Sequence, residues 1–250
     1  MSAPRVLSIA GSDSGGGAGI QADIKTITML GGYAMTAITA LTAQNTTGVR
    51  LVEAASPAMV AAQIDACTGD LGVDAVKIGM LGSPEIAAVV AQRLEQLKVP
   101  IVFDPVMIAT SGSALADDAT IAEFERLMAL ATLTTPNVPE LVSLGGDSAL
   151  RARGIAWLGK GGDAEGPEVT DRLSVPGADD VVWTAPRIET RHTHGTGCTL
   201  SSAIATHLAR GLSLADAVAQ ARQFVRAALT AAPGLGAGHG PLGHYAVLRS

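Results

Sequence analysis

Short apolar runs alternate with amphipathic segments through the first half of the chain. Residues 6–10 form a continuous apolar run followed by Gly and Ser, which predicts a strand buried on both faces. Apolar residues then recur at helical spacing from Ile20 to Leu30, and Gly31 is predicted to end this helix. Thr and Ile alternate with small residues over 35–41, a pattern typical of a second strand.

The same alternation continues beyond these elements. The predicted helices are 57–67, 84–97 and about 119–130, and the predicted strands are 75–78, 101–103 and 131–134. Strands separated by single helices pair in parallel through right-handed crossovers. We therefore predict an α/β fold with a doubly wound, mostly parallel central sheet flanked by helices, and ligands at the carboxyl ends of its strands.

The alternation of strands and helices stops over 173–190, where Pro176, Gly177 and Pro186 separate short β-like runs. This pattern predicts a small antiparallel hairpin at the sheet edge. Two helices, 199–209 and 214–229, are predicted to follow. With 250 residues and about 150 per domain as a guide, we expect residues 1–250 to form a single domain.

Composition and charge narrow the classes of function. Hydrophobic residues make up 48% of the chain and charged residues 16%, which excludes a disordered protein. A net charge of −6, four lysines and 3% aromatic residues exclude a nucleic-acid-binding surface. The cysteines Cys67 and Cys198 have no CxxC spacing, so we expect a reduced, cytoplasmic setting. The first apolar run is too short for a signal or membrane segment, so no membrane contact is expected.

Two glycine-rich segments are candidates for binding anions. The first, 11–19, lies between a predicted strand and a helix but fits neither a P-loop nor a GxGxxG pattern, so a simple turn is the alternative. In the second, Gly195, Thr196 and Gly197 lead directly into a helix, whose free N–H groups and dipole would form an anion hole. A plain helix cap is the alternative there.

Cys198 stands at the start of that second helix. Such a position lowers the pKa of a thiol, so Cys198 is expected to accept a proton or attack an electrophile. Cys67 lies on an amphipathic helix and is expected to be a small core residue.

Polar residues also follow several predicted strands. Asp104, Asn137 and Glu140 offer oxygen ligands that suit Mg²⁺ beside a triphosphate, although each of them could instead cap a turn or helix. Lys160 is expected to be a point charge for phosphate, with a solvated loop lysine as the alternative. Gln44, after the second strand, offers a donor and an acceptor to a heterocycle.

Five blocks of the chain resemble the hydroxymethylpyrimidine and phosphomethylpyrimidine kinases of thiamine biosynthesis, a branch of the ribokinase-like superfamily. The blocks are residues 6–48 (VLSIAGSDSGGGAGIQADIKTITMLGGYAMTAITALTAQNTTG), KIGML at 77–81, DPVMIATSG at 104–112, TPNVPE at 135–140 and HTHGTGCTLSSAIA at 192–205. The tail GHGPLGHY at 238–245 is similar too. Together the blocks and the intervals between them span most of the chain, and the long first block and GTGC are specific to this branch.

The resemblance implies a cytoplasmic, homodimeric enzyme of ribokinase-like fold that uses ATP and Mg²⁺. The edge of the predicted hairpin would otherwise be exposed, which supports the expected dimer. The enzyme would phosphorylate 4-amino-5-hydroxymethyl-2-methylpyrimidine and then its monophosphate. By similarity, Gln44 binds the pyrimidine edge, and Gly11, Asp23 and Met80 shape its pocket. The transferring phosphoryl group is held by the amides of 195–198, and Cys198 is the base toward the hydroxyl.

Similarity also assigns the nucleotide end of the site. Asp104, Asn137 and Glu140 would bind the nucleotide, with Asp104 and Glu140 at the metal, and Lys160 would add positive charge. Two features depart from the family pattern. The interval between Glu140 and Lys160 is about twenty residues shorter than the family pattern leads us to expect, and Asp163 stands where a His usually follows Lys-Gly-Gly.

Three other readings remain open at this point. A pyridoxal kinase would use the same phosphoryl-transfer machinery on a different ring. A non-catalytic pyrimidine-binding protein would bind ligand without ATP turnover. A cysteine hydrolase built on Cys198 would need a paired His and an orienting group, and His194 is the nearest His in sequence. We expect His192 and His194 to structure their loop, because no third metal ligand accompanies them.

Overall fold

The computed structural model describes residues 3–108 and 115–245. Part of the DPVMIATSG block, residues 109–112, lies outside the described residues. Within the described ranges, no helix has the length and apolar character needed to cross a bilayer.

Nine strands form one sheet in the order β3-β2-β1-β4-β5-β6-β7-β8-β9. The strands are β1 Arg5–Asp13, β2 Tyr33–Asn45, β3 Gly48–Ala54, β4 Ala75–Ile78, β5 Ile101–Phe103, β6 Leu133–Thr134, β7 Trp157–Gly159, β8 Glu168–Ser174 and β9 Val181–Pro186. The six central strands, β2, β1, β4, β5, β6 and β7, pair in parallel, and β3, β8 and β9 join as antiparallel strands at the two edges. The doubly wound, mostly parallel sheet with an edge hairpin is therefore confirmed.

Eight helices cover the sheet in the described residues. They are α1 Gly19–Met29, α2 Pro57–Ala66, α3 Pro84–Leu94, α4 Asp118–Leu130, α5 Val138–Ser143, α6 Gly146–Ala152, α7 Thr196–Ala209 and α8 Leu214–Thr230. Two of these helices begin with standard capping chemistry, because Ser56 and Ser83 accept backbone N–H bonds just before a proline at the first helical position.

Two apolar cores lie on opposite faces of the sheet. Alternate residues of each strand point to opposite faces, so Val76 and Ile78 join the core beneath α2, α3 and α4, whereas Ala75 joins the core beneath α1, α7 and α8. Lys77 points to this second face as well, into the centre of the molecule. A charge in that position requires a partner.

Most element boundaries agree with the sequence pattern, and the exceptions have local causes. β1 runs on through residues 11–13, which were expected to be loop, and β2 extends to Asn45, so Gln44 lies within the strand rather than after it. β3 was not predicted, because five of its seven residues are exposed and give no apolar period. α2 continues into a π-helical turn, Cys67–Leu71.

Candidate active site

A cavity of about 630 Å³ opens at the carboxyl ends of the parallel strands. In a doubly wound sheet this edge is where ligands bind. Every predicted site residue except Asp23 lines it: Gly11, Gln44, Met80, Asp104, Asn137, Glu140, Lys160, Gly195, Thr196, Gly197 and Cys198. The topology thus brings together segments that lie up to 187 positions apart in the chain.

Asp23 is the exception, because it lies behind the cavity wall rather than on it. Its carboxylate is fully buried and accepts bonds from Lys77 Nζ at 2.9 and 3.1 Å, from Ser8 Oγ at 2.5 Å and from Ser202 Oγ at 2.7 Å. Lys77, in contrast, does line the cavity. Burial alone would lower the pKa of Lys77, but the Asp23 carboxylate raises it, so Lys77 is a permanent cation in the cavity wall.

Asp13 organises the first glycine-rich segment. Its carboxylate accepts the backbone N–H groups of Gly15, Gly17 and Ala18 at 2.8 to 2.9 Å and lies 2.8 Å from His194 Nε2. Burial would raise the pKa of Asp13, but the bonds from His194 and from the backbone hold it below its ordinary value. The segment is therefore more than a simple turn, since a buried carboxylate connects it to the second glycine-rich segment.

The two glycine-rich segments touch through their backbones. Gly195 has φ +86°, and a Cβ there would overlap the carbonyl oxygen of Gly17. A Cβ on Gly17 would in turn overlap the ring of His194. Only glycine permits both the backbone conformation at Gly195 and the close approach at these two positions.

The N-terminus of α7 faces the cavity. Gly195 is its N-cap, no side chain caps the helix, and the first-turn residues Thr196, Gly197 and Cys198 line the cavity wall. The first N–H groups of a helix have no partners within it and carry partial positive charge. This end of the cavity is therefore suited to an anion.

Cys198 differs from the sequence expectation in its acidity. A helix start favours the thiolate, but burial raises the pKa of Cys198 to about 11 and outweighs the opposing effect of the Lys77 ammonium. The prediction of a lowered thiol pKa is wrong for this reason. His194 bonds Asp13 and approaches Gln44, so the cysteine–histidine pair that a hydrolase requires is not formed by these two residues.

Asp104, Lys160 and Glu140 form a buried cluster, hereafter the acid–lysine cluster, beside the start of α7. Lys160 Nζ lies 2.7 Å from Asp104 Oδ1 and 3.8 Å from Glu140 Oε2, and its side chain is only 13% exposed. A Cβ on Gly197 would come within 3.3 Å of Lys160 Nζ. Lys160 is therefore not a solvated loop lysine.

The protonation of Glu140 is set by this cluster. Burial raises its pKa to about 7, the Asp104 charge adds to the rise, and Lys160 opposes it. Burial also disfavours the charged form of Lys160, but Asp104 and Glu140 together raise its pKa. The cluster thus holds a stable ammonium between one buried carboxylate and a second carboxyl group that titrates near neutrality.

Asn137 and Glu140 form a capping box at the start of α5. Asn137 Oδ1 accepts the N–H of Glu140 at 2.9 Å, and Glu140 Oε2 accepts the N–H of Asn137 at 2.8 Å. Both residues therefore cap the helix, and this capping fixes both side chains on the cavity wall.

Gln44 lines the cavity, as do Gly11 and Met80. Ser14 fixes the Gln44 backbone by bonding both its N–H and its carbonyl, at 2.9 and 2.8 Å. A Cβ on Gly11 would come within 2.5 Å of the Met80 methyl group, so glycine makes room for the methionine side chain. The amide and the thioether thus bound a pocket of mixed polarity.

The cavity also contains Arg187, Asp13 and Lys77, which the sequence analysis did not single out, and Asp163, which it noted only as a departure from the family pattern. Arg187 donates to three carbonyl groups of the loop after Lys160, among them Gly166 at 2.7 Å and Gly162 at 2.9 Å, and to the carbonyl group of Glu168 at the start of β8. Asp163 of this loop lines the cavity, as do Asp13 and Lys77. Lys77 carried a usable signal, since a lysine between buried strand residues requires a buried partner.

Comparisons with known proteins show which family this chain belongs to. A family model described as phosphomethylpyrimidine kinase matches residues 13–243. A hydroxymethylpyrimidine/phosphomethylpyrimidine kinase of Rhizobium meliloti is 49% identical, and the alignment covers 96% of both chains.

Two solved structures have similar folds. An ADP complex of Bacillus subtilis pyridoxal kinase superposes with a TM-score of 0.89 and 35% identity, and the match covers 99% of each chain. A phosphomethylpyrimidine kinase from Clostridium difficile superposes with a TM-score of 0.76 and 37% identity, covering 89% of this chain and 98% of that one. The ribokinase-like fold is confirmed, and this chain belongs to the phosphomethylpyrimidine kinase family.

Proposed function

We propose that this chain transfers the terminal phosphoryl group of ATP to hydroxymethylpyrimidine, and then to its monophosphate, in thiamine biosynthesis. The observation that carries the proposal is one cavity that contains an anion-binding helix start next to the acid–lysine cluster, together with an amide suited to a heterocycle. Phosphoryl transfer requires mainly alignment and neutralisation of charge. A covalent intermediate is not needed.

Each group in the cavity has a role in this reaction. The backbone amides of Gly195, Gly197 and Cys198 stabilise the charge that develops on the transferring phosphoryl group, whereas the Thr196 N–H already donates to Thr193 O. Lys160 contributes a fixed positive charge, and Lys77 adds a second one in the cavity wall. Gln44 orients the pyrimidine, with Gly11 and Met80 bounding its pocket. Asp23 acts through Lys77, which it holds in place.

Cys198 is assigned to the hydroxyl that accepts the phosphoryl group. Its thiol is neutral in the free protein because burial raises its pKa to about 11. The reactive form of Cys198 is the thiolate, formed when the thiol proton is released to solvent water and favoured by the Lys77 ammonium, which lowers the pKa against the effect of burial. Cys198 then accepts the hydroxyl proton as the phosphoryl group arrives.

The residues present fit a Mg²⁺ ion held together with a nucleotide. Mg²⁺ is usually bound through one or two carboxylates plus substrate phosphates. Asp104 and Glu140 supply two buried carboxyl groups, whereas among residues 3–108 and 115–245 no group of three or more His, Cys, Asp or Glu side chains is placed to hold a metal alone. When bound there, the ion would neutralise phosphate charge.

ATP is assigned to the end of the cavity formed by Asn137, the acid–lysine cluster and the loop after Lys160. Arg187 holds that loop through its carbonyl groups. Asp163 adds a carboxylate on this rim, which weakens the binding of a polyanion electrostatically. We therefore expect Asp163, which stands where the family usually has His, to lower the affinity of the protein for the nucleotide.

Pyridoxal phosphorylation is the second candidate activity. The pyridoxal kinase of Bacillus subtilis matches this chain over 99% of its length, so the fold permits either ring. The closer sequence likeness is to the pyrimidine kinase of Rhizobium meliloti, at 49% identity, which favours the pyrimidine.

The proposal extends to the organisation of the protein. One continuous nine-stranded sheet supports treating residues 1–250 as a single kinase domain. We also propose a cytoplasmic homodimer. Apolar side chains are exposed on β2 and β3 at one sheet edge, namely Leu41, Leu51 and Val52, and an exposed edge of this kind is commonly covered by a partner.

The deciding experiment is coupled ADP release with Mg-ATP and three acceptors: hydroxymethylpyrimidine, its monophosphate and pyridoxal. We expect turnover of both pyrimidines, with pyridoxal much slower. Cys198→Ala is expected to bind pyrimidine but to lose at least ~100-fold in kcat, the lower range for a general base. A folded protein that binds pyrimidine without releasing ADP would overturn the kinase assignment, and faster turnover of pyridoxal would favour the second candidate.

A further inference from the structure

The hydrogen bonds around His194 determine which way the Gln44 amide faces. His194 Nε2 lies 2.8 Å from Asp13 Oδ2 and 3.3 Å from Gln44 Nε2. The Asp13 carboxylate also accepts three backbone N–H groups, and its pKa is held below the ordinary value. An ionised carboxylate only accepts hydrogen bonds, so His194 Nε2 must carry the proton that it donates to Asp13.

That proton constrains Gln44. If the amide nitrogen of Gln44 faced His194, two N–H donors would point at each other. A second conflict would arise at Thr42, because its single hydroxyl proton would be needed by both Ser12 O at 3.0 Å and Gln44 Oε1 at 3.2 Å. Both conflicts disappear when the amide is rotated by half a turn.

In the rotated amide, every donor has an acceptor. His194 Nε2–H is shared between Asp13 and Gln44 Oε1, Gln44 Nε2 donates to Thr42 Oγ1, and Thr42 donates to Ser12 O. The supporting side chains are enclosed: Asp13 is 3% exposed, His194 7% and Thr42 9%. The chain of bonds is anchored on a buried carboxylate at one end and a backbone carbonyl at the other.

We propose that Asp13, His194 and Thr42 are positioning residues that fix the polarity of the Gln44 amide and so select a ring with an amino group next to a ring nitrogen. Once one N–H and one oxygen lone pair are used by Thr42 and His194, the Gln44 amide retains one N–H and one lone pair, and Gln44 lines the cavity. This pair matches a ring nitrogen acceptor beside an amino donor. The proposal rests on the pyrimidine assignment above and adds the reason for its specificity.

A ring on which the hydrogen-bond donor and acceptor are exchanged is expected to bind poorly. An oxo pyrimidine, in which a carbonyl replaces the amino group and the neighbouring ring nitrogen carries a proton, has donor and acceptor exchanged. A site that fixes its hydrogen-bonding groups rejects a mismatched analogue strongly, by up to about 10⁴-fold or more. An amide that is free to rotate would accept either ring with little preference.

The glycine at position 17 supports this arrangement. A Cβ there would overlap the imidazole of His194. The ring therefore reaches Asp13 only because the first glycine-rich segment leaves space for it, and the two segments are held together by the same contact that orients Gln44.

The test compares Thr42→Val, which removes the acceptor of the Gln44 amide, with the matched control Thr42→Ser, which keeps it. Dissociation constants for the amino and the oxo hydroxymethylpyrimidine are measured by calorimetry, without nucleotide. We expect the wild type and Thr42→Ser to prefer the amino ring by at least ~100-fold, and Thr42→Val to lose about tenfold or more of this preference. KM for ATP is expected to be unchanged in both variants.

Equal preference in Thr42→Val and Thr42→Ser would overturn the proposal. A second measurement reads the bonds directly: in ¹⁵N-labelled protein, His194 is expected to carry a proton on Nε2, with the signal assigned by its loss in His194→Gln. An unprotonated Nε2 would overturn the proposal as well. Both measurements use protein without nucleotide, so neither depends on ATP turnover. They can therefore fail or succeed independently of the ADP-release assay that tests the kinase assignment.

Discussion

At the residue scale, Glu140 makes the stability of the protein depend on pH. Burial raises its folded pKa to about 7 from the ordinary 4.5, so between these values the folded state binds the proton that the unfolded state has released. The free energy of unfolding therefore falls as pH rises through this window. The raised pKa predicts a fall on the order of 1–3 kcal/mol.

Replacing Glu140 by Gln should remove this pH dependence while keeping an oxygen for the capping box. We expect Glu140→Gln to lose less stability than the wild type between pH 5 and pH 8, measured by urea unfolding. Glu125→Gln is the control, since that carboxylate is 64% exposed and paired with Arg153. Equal slopes for wild type and Glu140→Gln would show that the carboxyl group does not titrate in this range.

The sequence was sufficient to predict most of the residues that line the cavity. It was not sufficient to predict how burial and neighbouring charges change their pKa values. Cys198 was located correctly, but its acidity depends on burial by residues from distant segments, which no local pattern contains. Asp23 was carried over by similarity, and its distance from the cavity follows from Lys77 standing between them. Asp13 was hidden within a run of small residues.

At the element scale, the contact between the glycine-rich segments predicts the effect of a single methyl group. Gly195→Ala forces a positive φ on a residue with a side chain and drives its Cβ into the Gly17 carbonyl. Strain of this kind costs about 1–3 kcal/mol. If the start of α7 moves by about 1 Å to relieve this strain, the groups that bind the phosphoryl group are misplaced, and kcat should fall by about 100-fold.

The matched control is Gly69→Ala in the π-helical turn, where a Cβ would meet nothing within 4 Å and φ is not positive. We expect its melting temperature to stay at or above that of the wild type, and its rate of ADP release to be unchanged. Thermal unfolding and coupled ADP release measure both variants. A Gly195→Ala protein with wild-type kcat would refute the requirement for this close contact.

The sequence predicted the elements that bury a regular apolar face and missed those that do not. Strands 75–78 and 101–103 were predicted with the observed boundaries, since both are fully buried. β3 and the short helix α6 have few buried side chains, so neither produces a periodic signal. The edge hairpin was predicted, but β8 begins at Glu168, five residues before the predicted interval, because its outer half is exposed.

At the scale of the whole molecule, the topology explains how the site is assembled. The parallel strands β1, β4, β5, β6 and β7 all end at one edge of the sheet, so the segments that follow them meet there. The doubly wound pattern was enough to predict this convergence. The contacts across the sheet, such as Asp13 with His194, depend on the register of strands distant in sequence and could not be predicted from the pattern.

The same sheet leaves two edges on which a second copy could pack. On the β2–β3 edge, Leu41 and Leu51 lie on one face, since Leu41 pairs with Glu53 and Ala43 with Leu51, and they are 55% and 65% exposed. At the opposite edge, Val182 of β9 is 54% exposed. We place the homodimer contact on the β2–β3 edge because it exposes the larger pair of side chains.

This placement predicts that Leu51→Glu dissociates the dimer and that the matched variant Val182→Glu does not. A two-fold interface contains Leu51 twice, and each buried leucine contributes about 1.5–3 kcal/mol, so the dimer Kd should rise by at least ~100-fold. Sedimentation velocity over a range of protein concentrations measures Kd for both variants and the wild type. If Val182→Glu alone dissociates the dimer, the contact lies at the hairpin edge instead. If the wild type is a monomer, the proposed homodimer is wrong.

Because β2 also carries Gln44 and Thr42, dissociation by Leu51→Glu is expected to raise KM for the pyrimidine before it changes KM for ATP.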